Sequence, residues 1–85
     1  SEFNSSRLVI AYDNEPRNEQ IMARMRRMID RGYRVCVWPE DVRGKDVNEM
    51  IVNGSSSEEI ERTILNNSYT DLRAQLELAS WSKRR

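Results

Sequence analysis

Residues 8–38 read "LVIAYDNEPRNEQIMARMRRMIDRGYRVCVW" and contain the three consecutive patterns that decide the fold. Residues 8–12 form a short, continuous apolar run, which is typical of a strand buried on both faces. Residues 33–38 form a second run, rich in valine and aromatic side chains, which favours a second strand. Between the two runs, apolar side chains recur at helical spacing: Ile21, Met22, Met25, Met28 and Ile29. Because the connections are short, the sequence predicts a right-handed βαβ unit with parallel strands.

Proline, glycine and capping signals set the limits of the predicted helices. Pro16 fits the first turn of the first helix, where its missing N–H group costs no hydrogen bond. Gly32 is expected to end that helix. Asp46 and Ser56 each precede a glutamate by three positions, as in a capping box, and so predict the starts of two further helices. Gly54 is expected to end the first of these.

A last helix is predicted to begin near Ser68 or Thr70. Its apolar face is expected to consist of Leu72, Leu76 and Ala79, which recur at helical spacing. The predicted fold class is therefore α/β, with a βαβ unit of parallel strands followed by C-terminal helices.

Composition limits the chain to one small domain and removes several kinds of site. The chain has 85 residues, of which 38% are hydrophobic, so its core is modest. It has no histidine, the commonest general base and metal ligand in proteins. Its single cysteine, Cys36, cannot form an internal disulfide, which is typical of a reducing intracellular compartment. Because no apolar stretch approaches the roughly 20 residues that cross a bilayer, no membrane partner is expected.

The charges of the chain balance overall but not locally. The formal net charge is zero, with a slight basic excess in residues 1–45 and an acidic excess in residues 46–82. A self-sufficient nucleic-acid-binding domain usually has a basic excess. Any contact with nucleic acid must therefore come from a local patch or from sequence outside this chain.

Two acids, Asp13 and Glu15, directly follow the first predicted strand. In a parallel sheet, ligands bind beyond the carboxyl ends of the strands, which is where this pair lies. In extended backbone, side chains two residues apart point the same way, so both carboxylates could bind one magnesium ion. The alternative is that both acids simply favour the positively polarised N-terminus of the following helix.

Other charged side chains could complete such a site. Asp46 is a third candidate metal ligand, but it also has the position of a helix N-cap, and its two oxygens are compatible with both roles. Lys45 could contact a phosphate or be solvated. Arg24, Arg27 and Arg31 recur on one side of the first helix. They could contact a nucleic-acid backbone, or form a solvated face paired with acidic neighbours.

Taken together, "VIAYDNE", the following helix, "YRVCVWPE" and "GKDVNEMIVNG" resemble the second half of a Toprim domain. The Toprim family includes bacterial-type primases, topoisomerases and some nucleases, and the resemblance is closest to bacteriophage DNA primases and primase-helicases. Asp13 and Glu15 match the family's acid-x-acid motif, and Lys45, Asp46 and Asn48 match its later lysine-aspartate segment. The closing "LRAQLELASW" also resembles the helical end of phage primases.

The resemblance implies magnesium-dependent nucleotidyl transfer that makes RNA primers for DNA replication, with manganese as an alternative cation. The implied partners are a single-stranded DNA template, nucleoside triphosphates and a replicative helicase, in the cytoplasm of a host cell. The chain departs from the family at Glu15, where aspartate is usual. The family's catalytic glutamate lies on an earlier strand, upstream of this chain. No catalytic residue is therefore assigned, and the 85 residues alone are expected to be inactive.

Three segments are predicted on this basis. Residues 1–6 are interpreted as a cloning remnant or disordered leader, residues 7–54 as the second half of a Toprim-like domain, and residues 55–85 as a C-terminal helical extension. Two alternative functions are another Toprim activity, as in a nuclease or topoisomerase subunit, and a non-catalytic interaction domain that binds a replication partner. A topoisomerase would need a tyrosine nucleophile, whereas the three tyrosines here all occupy predicted structural positions.

Overall fold

The computed structural model describes residues 8–84, so the predicted leader at residues 1–6 lies outside the described residues. The elements in chain order are β1 (Val9–Ile10), α1 (Glu19–Asp30), β2 (Arg34–Cys36), α2 (Val47–Val52), α3 (Ser57–Asn66), β3 (Ser68–Tyr69) and α4 (Asp71–Ser82). Among the helices in residues 8–84, none combines the length and the apolar character needed to span a bilayer.

A three-stranded sheet with the order β1-β2-β3 lies at the centre of the fold. β1 runs parallel to β2, with Val9 opposite Arg34. The predicted α/β class is therefore confirmed. The two parallel strands are joined through α1, and further helices follow them along the chain. β3 runs antiparallel to β2, with Val35 opposite Tyr69, and the sequence did not predict it. A two-residue strand has no periodicity to detect, and it forms here because β2 offers it a free edge.

The predicted extent and burial of the first strand are wrong. β1 contains two of the five residues predicted, and both Val9 and Ile10 are half-buried rather than buried on both faces. The physical reason is its place at the edge of the described sheet, where it has β2 on one side only. β2 is the central strand, and its Val35 and Cys36 are fully buried, as a continuous apolar run predicts.

The helix α1 begins later than predicted. Asn18 is its N-cap, because the Asn18 side chain accepts hydrogen bonds from the N–H groups of Gln20 and Ile21 at 3.0 and 3.1 Å. Pro16 therefore precedes the helix and does not lie in its first turn. It lies instead in a turn closed by a 3.0 Å hydrogen bond from the Asn18 N–H to the Glu15 carbonyl. The fixed φ of proline suits the second position of such a turn.

The two predicted capping boxes differ in completeness. The Ser56 box is confirmed, because the Ser56 hydroxyl accepts the Glu59 N–H and the Glu59 carboxylate accepts the Ser56 N–H. Asp46 is confirmed as the N-cap of α2 and accepts the Glu49 N–H at 2.9 Å. The Glu49 carboxylate, however, accepts the N–H of Lys45 at 2.9 Å, one residue before the cap.

The predicted ends of the first two helices agree with the structure. Gly32 follows α1, and its N–H donates to the Ile29 carbonyl at 2.9 Å. Gly54 follows α2, and its N–H donates to the Ile51 carbonyl at 3.0 Å. Both glycines have a positive φ, at 88° and 111°, which is the usual backbone of a residue just past a helix end.

Two apolar clusters form the core, one on each side of the sheet's central strand. The first joins α1 and α4 to β2 and consists of Ile21, Met22, Met25, Ile29, Val35, Val37, Ala74, Leu78 and Trp81. The second joins β2 to α2 and α3 and consists of Cys36, Trp38, Met50 and Ile60. Both clusters draw on residues from either side of the predicted boundary at residue 54. The two tryptophans, Trp38 and Trp81, are buried packing residues.

The helix α4 buries a different face from the one predicted. Ala74, Leu78 and Trp81 lie in the core, whereas Leu72 and Leu76 are 66% and 60% exposed. Apolar residues occur on both faces of this helix, so spacing alone does not select one. Trp81 decides the orientation, because burying the large indole beside α1 stabilises the fold more than burying either leucine.

Candidate functional site

The two candidate metal ligands Asp13 and Glu15 lie on a tight turn beyond the end of β1. The Glu15 N–H donates to the Asp13 carbonyl at 2.9 Å, which closes a three-residue turn centred on Asn14. The expectation that the two acids share one direction along extended backbone is therefore wrong. Asp13 is exposed and Glu15 is half-buried. Both remain close in sequence and space, as the ends of one turn.

Two buried tryptophans hold this turn from opposite ends. The indole N–H of Trp38 donates to the Tyr12 carbonyl at 2.8 Å, just before Asp13. The indole N–H of Trp81 donates to the side-chain oxygen of Asn14 at 3.0 Å, just after Asp13. Trp38 is 2% exposed and Trp81 is fully buried. The backbone that carries Asp13 is thus tied to rigid parts of the core.

Asn14 also joins the turn to the loop that precedes α2. Its N–H donates to the Lys45 carbonyl at 2.6 Å, and its side-chain amide donates to the Gly44 carbonyl at 3.3 Å. Asp46 follows Lys45 directly, so the segments that carry Asp13 and Asp46 lie side by side. Both segments lie beyond the carboxyl ends of the parallel strands, where ligands bind in such sheets.

Each half-buried acid of this site already uses one oxygen within the protein. Asp46 accepts the Glu49 N–H, and Glu15 accepts the side-chain amide of Asn18 at 3.0 Å. Among residues 8–84, no three histidine, cysteine, aspartate or glutamate side chains are grouped closely enough to hold a metal ion together. Magnesium is often held by one or two carboxylates, with waters and substrate phosphates as its other ligands. The metal site remains a prediction, with Asp13 as its most accessible ligand.

The arginine stripe occupies the outer face of α1. Arg24, Arg27 and Arg31 are exposed, and none of them forms an ion pair with another residue in the range 8–84. The alternative interpretation was a solvated face on which these arginines pair with acidic neighbours. Such pairs are not seen among residues 8–84. Arg31 lies at the far end of α1, about 20 Å from the acidic turn at 1.5 Å per residue. The stripe and the acids thus lie at different places on the surface. Lys45, by contrast, is an exposed side chain beside the acids.

Cys36 is a packing residue rather than a nucleophile. It is fully buried in β2, and burial raises the pKa of its thiol to about 12. At neutral pH the thiol is therefore protonated and neutral, which suits its apolar surroundings.

Comparison with known proteins finds a relative among the DNA primases, although no family model matches the chain. The chain is 37% identical over 79 residues to a DNA primase of Enterobacteria phage T4. The chain is related to a primase. The matched stretch covers 91% of this chain and 23% of the phage protein. The predicted resemblance to a bacteriophage primase is supported at this level, and the assignment to the Toprim family stays a prediction.

Asn14, Gly44 and Trp81 are residues around the acidic turn whose contacts the sequence did not reveal. Asn14 makes contacts to Gly44 and Trp81 that lie 30 and 67 residues away along the chain. Their residue types carry no signal for these contacts, because asparagine, glycine and tryptophan all occur commonly in loops and cores. An asparagine between two acids was the only available hint, since its side chain can both donate and accept.

We expect Gly44→Ala to destabilise the protein by about 2–4 kcal/mol through strain and overlap. Gly44 has a φ of 112°, and a Cβ atom there would lie 2.9 Å from the backbone nitrogen of Met50. Urea unfolding followed by circular dichroism would measure the loss. Gly32→Ala is the matched control, because Gly32 also has a positive φ but a Cβ atom there would meet no neighbouring atom within 4 Å. Equal losses in both variants would show that the approach to Met50 has no effect.

Proposed function

We propose that this chain is the metal-binding part of a Toprim-type DNA primase, which makes RNA primers by magnesium-dependent nucleotidyl transfer. The observation that carries the proposal is the hydrogen bond from the Asn14 N–H to the Lys45 carbonyl. It brings two acid-bearing segments together at the carboxyl edge of parallel strands in a chain related to a primase. The chain spans 23% of that relative.

The donor set fits a hard divalent cation. Asp13 and Glu15 would hold magnesium through carboxylate oxygens, with waters and substrate phosphates as its other ligands, and the free oxygen of Asp46 would reach it only through a bound water, because no three carboxylates of residues 8–84 are grouped closely enough to ligate one ion together. None of these carboxylates forms an ion pair with a basic residue in the range 8–84, so a cation would neutralise them. A bound magnesium ion would supply charge neutralisation at the phosphates of a nucleoside triphosphate.

Basic side chains beside the site and along α1 would serve the nucleotide and the nucleic acid. Lys45 is exposed next to Asp46 and would contact a substrate phosphate. The stripe of Arg24, Arg27 and Arg31 would contact the backbone of the single-stranded template, since such contacts position nucleic acid without reading its sequence.

A manganese titration tests the proposed metal site, because manganese is paramagnetic and broadens nearby NMR signals. We expect the amide signals of residues 12–16, apart from Pro16, which has no N–H group, to broaden first. Replacing Asp13 with asparagine and Glu15 with glutamine should remove this effect. Glu58→Gln with Glu61→Gln is the matched control, because it removes two exposed carboxylates from α3. Uniform broadening, or none at millimolar manganese, would contradict the site.

A protein-interaction role has one observation in its favour. Leu72 and Leu76 form an exposed apolar pair on α4, one helical turn apart. A replicative helicase or another replication protein could bind there. Loss of partner binding in the Leu72→Ser, Leu76→Ser double variant, with primer synthesis unchanged, would favour this role. Truncation of α4 is unsuitable for the test, because it would also remove Trp81 from the core.

A further inference from the structure

A cleft of about 610 Å³ lies between the loop that follows β2 and the helix α3. The nearly buried side chains of Trp38, Met50 and Ile60 lie at its base, and most of its exposed lining is polar. Its volume lies within the range of about 300–1,000 Å³ that is usual for small-molecule sites. A cleft of this size with a polar rim suits a polar-edged group such as a nucleobase.

The rim of the cleft carries hydrogen-bonding groups that suit a nucleotide. Arg43 comes from the loop, and Arg62 and Asn66 come from α3. All three are exposed, and within residues 8–84 their side chains form no hydrogen bond or ion pair. Guanidinium groups bind phosphate oxygens, and the asparagine amide can both donate to and accept from the edge of a base.

The charges of the cleft favour a phosphodiester over a triphosphate. Asp41 and Glu59 also line it, so two carboxylates balance the guanidinium groups of Arg43 and Arg62. A neutral lining can bind one singly charged phosphate, whereas the high charge of a triphosphate would be repelled by the two acids. Glu59 is held in place by its capping hydrogen bond to the Ser56 N–H at 2.8 Å.

The cleft and the acidic turn share one loop. Arg43 lines the cleft, and the next two residues, Gly44 and Lys45, accept hydrogen bonds from Asn14 in the acidic turn. A nucleic-acid strand bound at Arg43 would therefore lie close to the segment that carries Asp46, which follows Arg43 by three residues in the chain.

We infer that this cleft binds one nucleotide of a single-stranded nucleic acid, with the edge of the base at Asn66 and its phosphate at Arg43 and Arg62. The choice of a nucleotide as the ligand rests on the proposed function, but the cleft itself involves none of the proposed metal ligands. Binding here requires no divalent cation. Tests of the cleft and of the metal site can therefore fail independently.

Titration of the chain with a single-stranded DNA tetranucleotide, in buffer that contains a chelator, tests the inference by NMR. We expect shifts at the side-chain amide of Asn66 and at the backbone amides of residues 40–43. Arg62→Gln should weaken binding about tenfold, because it removes a charge-assisted hydrogen bond. Arg26→Gln removes the same charge from the side of α1 that lies next to α4, away from the arginine stripe and the cleft, and should leave the affinity unchanged.

The same titration with adenosine triphosphate and with inorganic phosphate shows whether the cleft binds a nucleic-acid strand, a free nucleotide or free phosphate. We expect the tetranucleotide to bind more tightly than the triphosphate, and inorganic phosphate to cause no shift at Asn66. Shifts caused by the triphosphate alone would overturn the assignment to a strand. Shifts confined to α1, or equal affinities for the Arg62→Gln variant and the unmodified chain, would overturn the cleft as the site.

Discussion

Primer synthesis by the complete protein is expected to fall on the order of 100-fold or more when Asp13 is replaced by asparagine. The carboxylate would be the most accessible ligand of the metal, and bound metal contributes several kcal/mol of transition-state stabilisation. Because Asp13 is exposed, the substitution should leave the fold intact. Incorporation of labelled ribonucleotides on a single-stranded template would measure the loss, and circular dichroism would confirm the fold.

Asp30→Asn provides the matched control for this substitution. Asp30 is an exposed acid at the last position of α1, away from the acidic turn, so its replacement should leave synthesis unchanged. Unchanged synthesis in the Asp13→Asn variant would contradict the proposed metal site. Full template-directed synthesis by residues 1–85 alone would contradict the expectation that the catalytic glutamate lies upstream.

Trp81→Ala is expected to lower the free energy of unfolding by about 3–5 kcal/mol. The indole of Trp81 projects from α4 and is fully buried in the first core cluster with residues of α1 and β2. Its removal leaves a cavity at the centre of that cluster. It also leaves the side-chain oxygen of Asn14 without its donor. A domain of this size has a total stability of only about 4–13 kcal/mol, so this loss removes between about a quarter and all of it. Urea unfolding would measure the change.

Trp81→Phe separates the packing of Trp81 from its hydrogen bond. Phenylalanine keeps much of the apolar volume but cannot donate to Asn14, so we expect a smaller loss of about 1–3 kcal/mol. The manganese-induced broadening at residues 12–16 should also weaken, because the acidic turn loses one of its anchors. A loss equal to that of Trp81→Ala, with unchanged broadening, would show that the hydrogen bond does not position the turn.

These contacts make α4 a structural support of the candidate site. Trp81 reaches Asn14, and the guanidinium of Arg84 donates to the Trp38 carbonyl just beyond α4. Residues on the two sides of the predicted boundary at residue 54 therefore pack together in the same core. The exposed leucines of α4 lie on its opposite face and leave a surface that a partner could cover without disturbing the site.

Local interactions explain why much of the fold was predictable. The caps at Asp46 and Ser56 act through hydrogen bonds three residues away, so the residues that decide each helix start are neighbours in the sequence. The apolar stripe of α1 was equally visible, because one helix face carries Ile21, Met25 and Ile29. The parallel pairing of β1 and β2 followed from two apolar runs on either side of that helix.

The missed features all depend on partners that are distant in the sequence. β3 forms because the edge of β2 is free to pair with it. Its two residues are too few to show a strand pattern in the sequence. α4 offers apolar residues on two faces, and only the space beside α1 selects the one with Trp81. Pro16 was placed in the helix because its φ suits a first turn, but Asn18 is the better hydrogen-bond acceptor and takes the cap position.

By itself, the sequence determined the order of β1, β2 and the four helices, the starts of α2 and α3, and the position of two acids after the first strand. Tertiary structure decided how those acids are held. Asn14 joins them to Gly44 and to Trp81, over separations of 30 and 67 residues. Hydrogen bonds of this kind form only after the sheet and the helices have packed, so no local pattern encodes them. Helix caps and apolar periodicity act over a few residues, which is why they could be read directly from the chain.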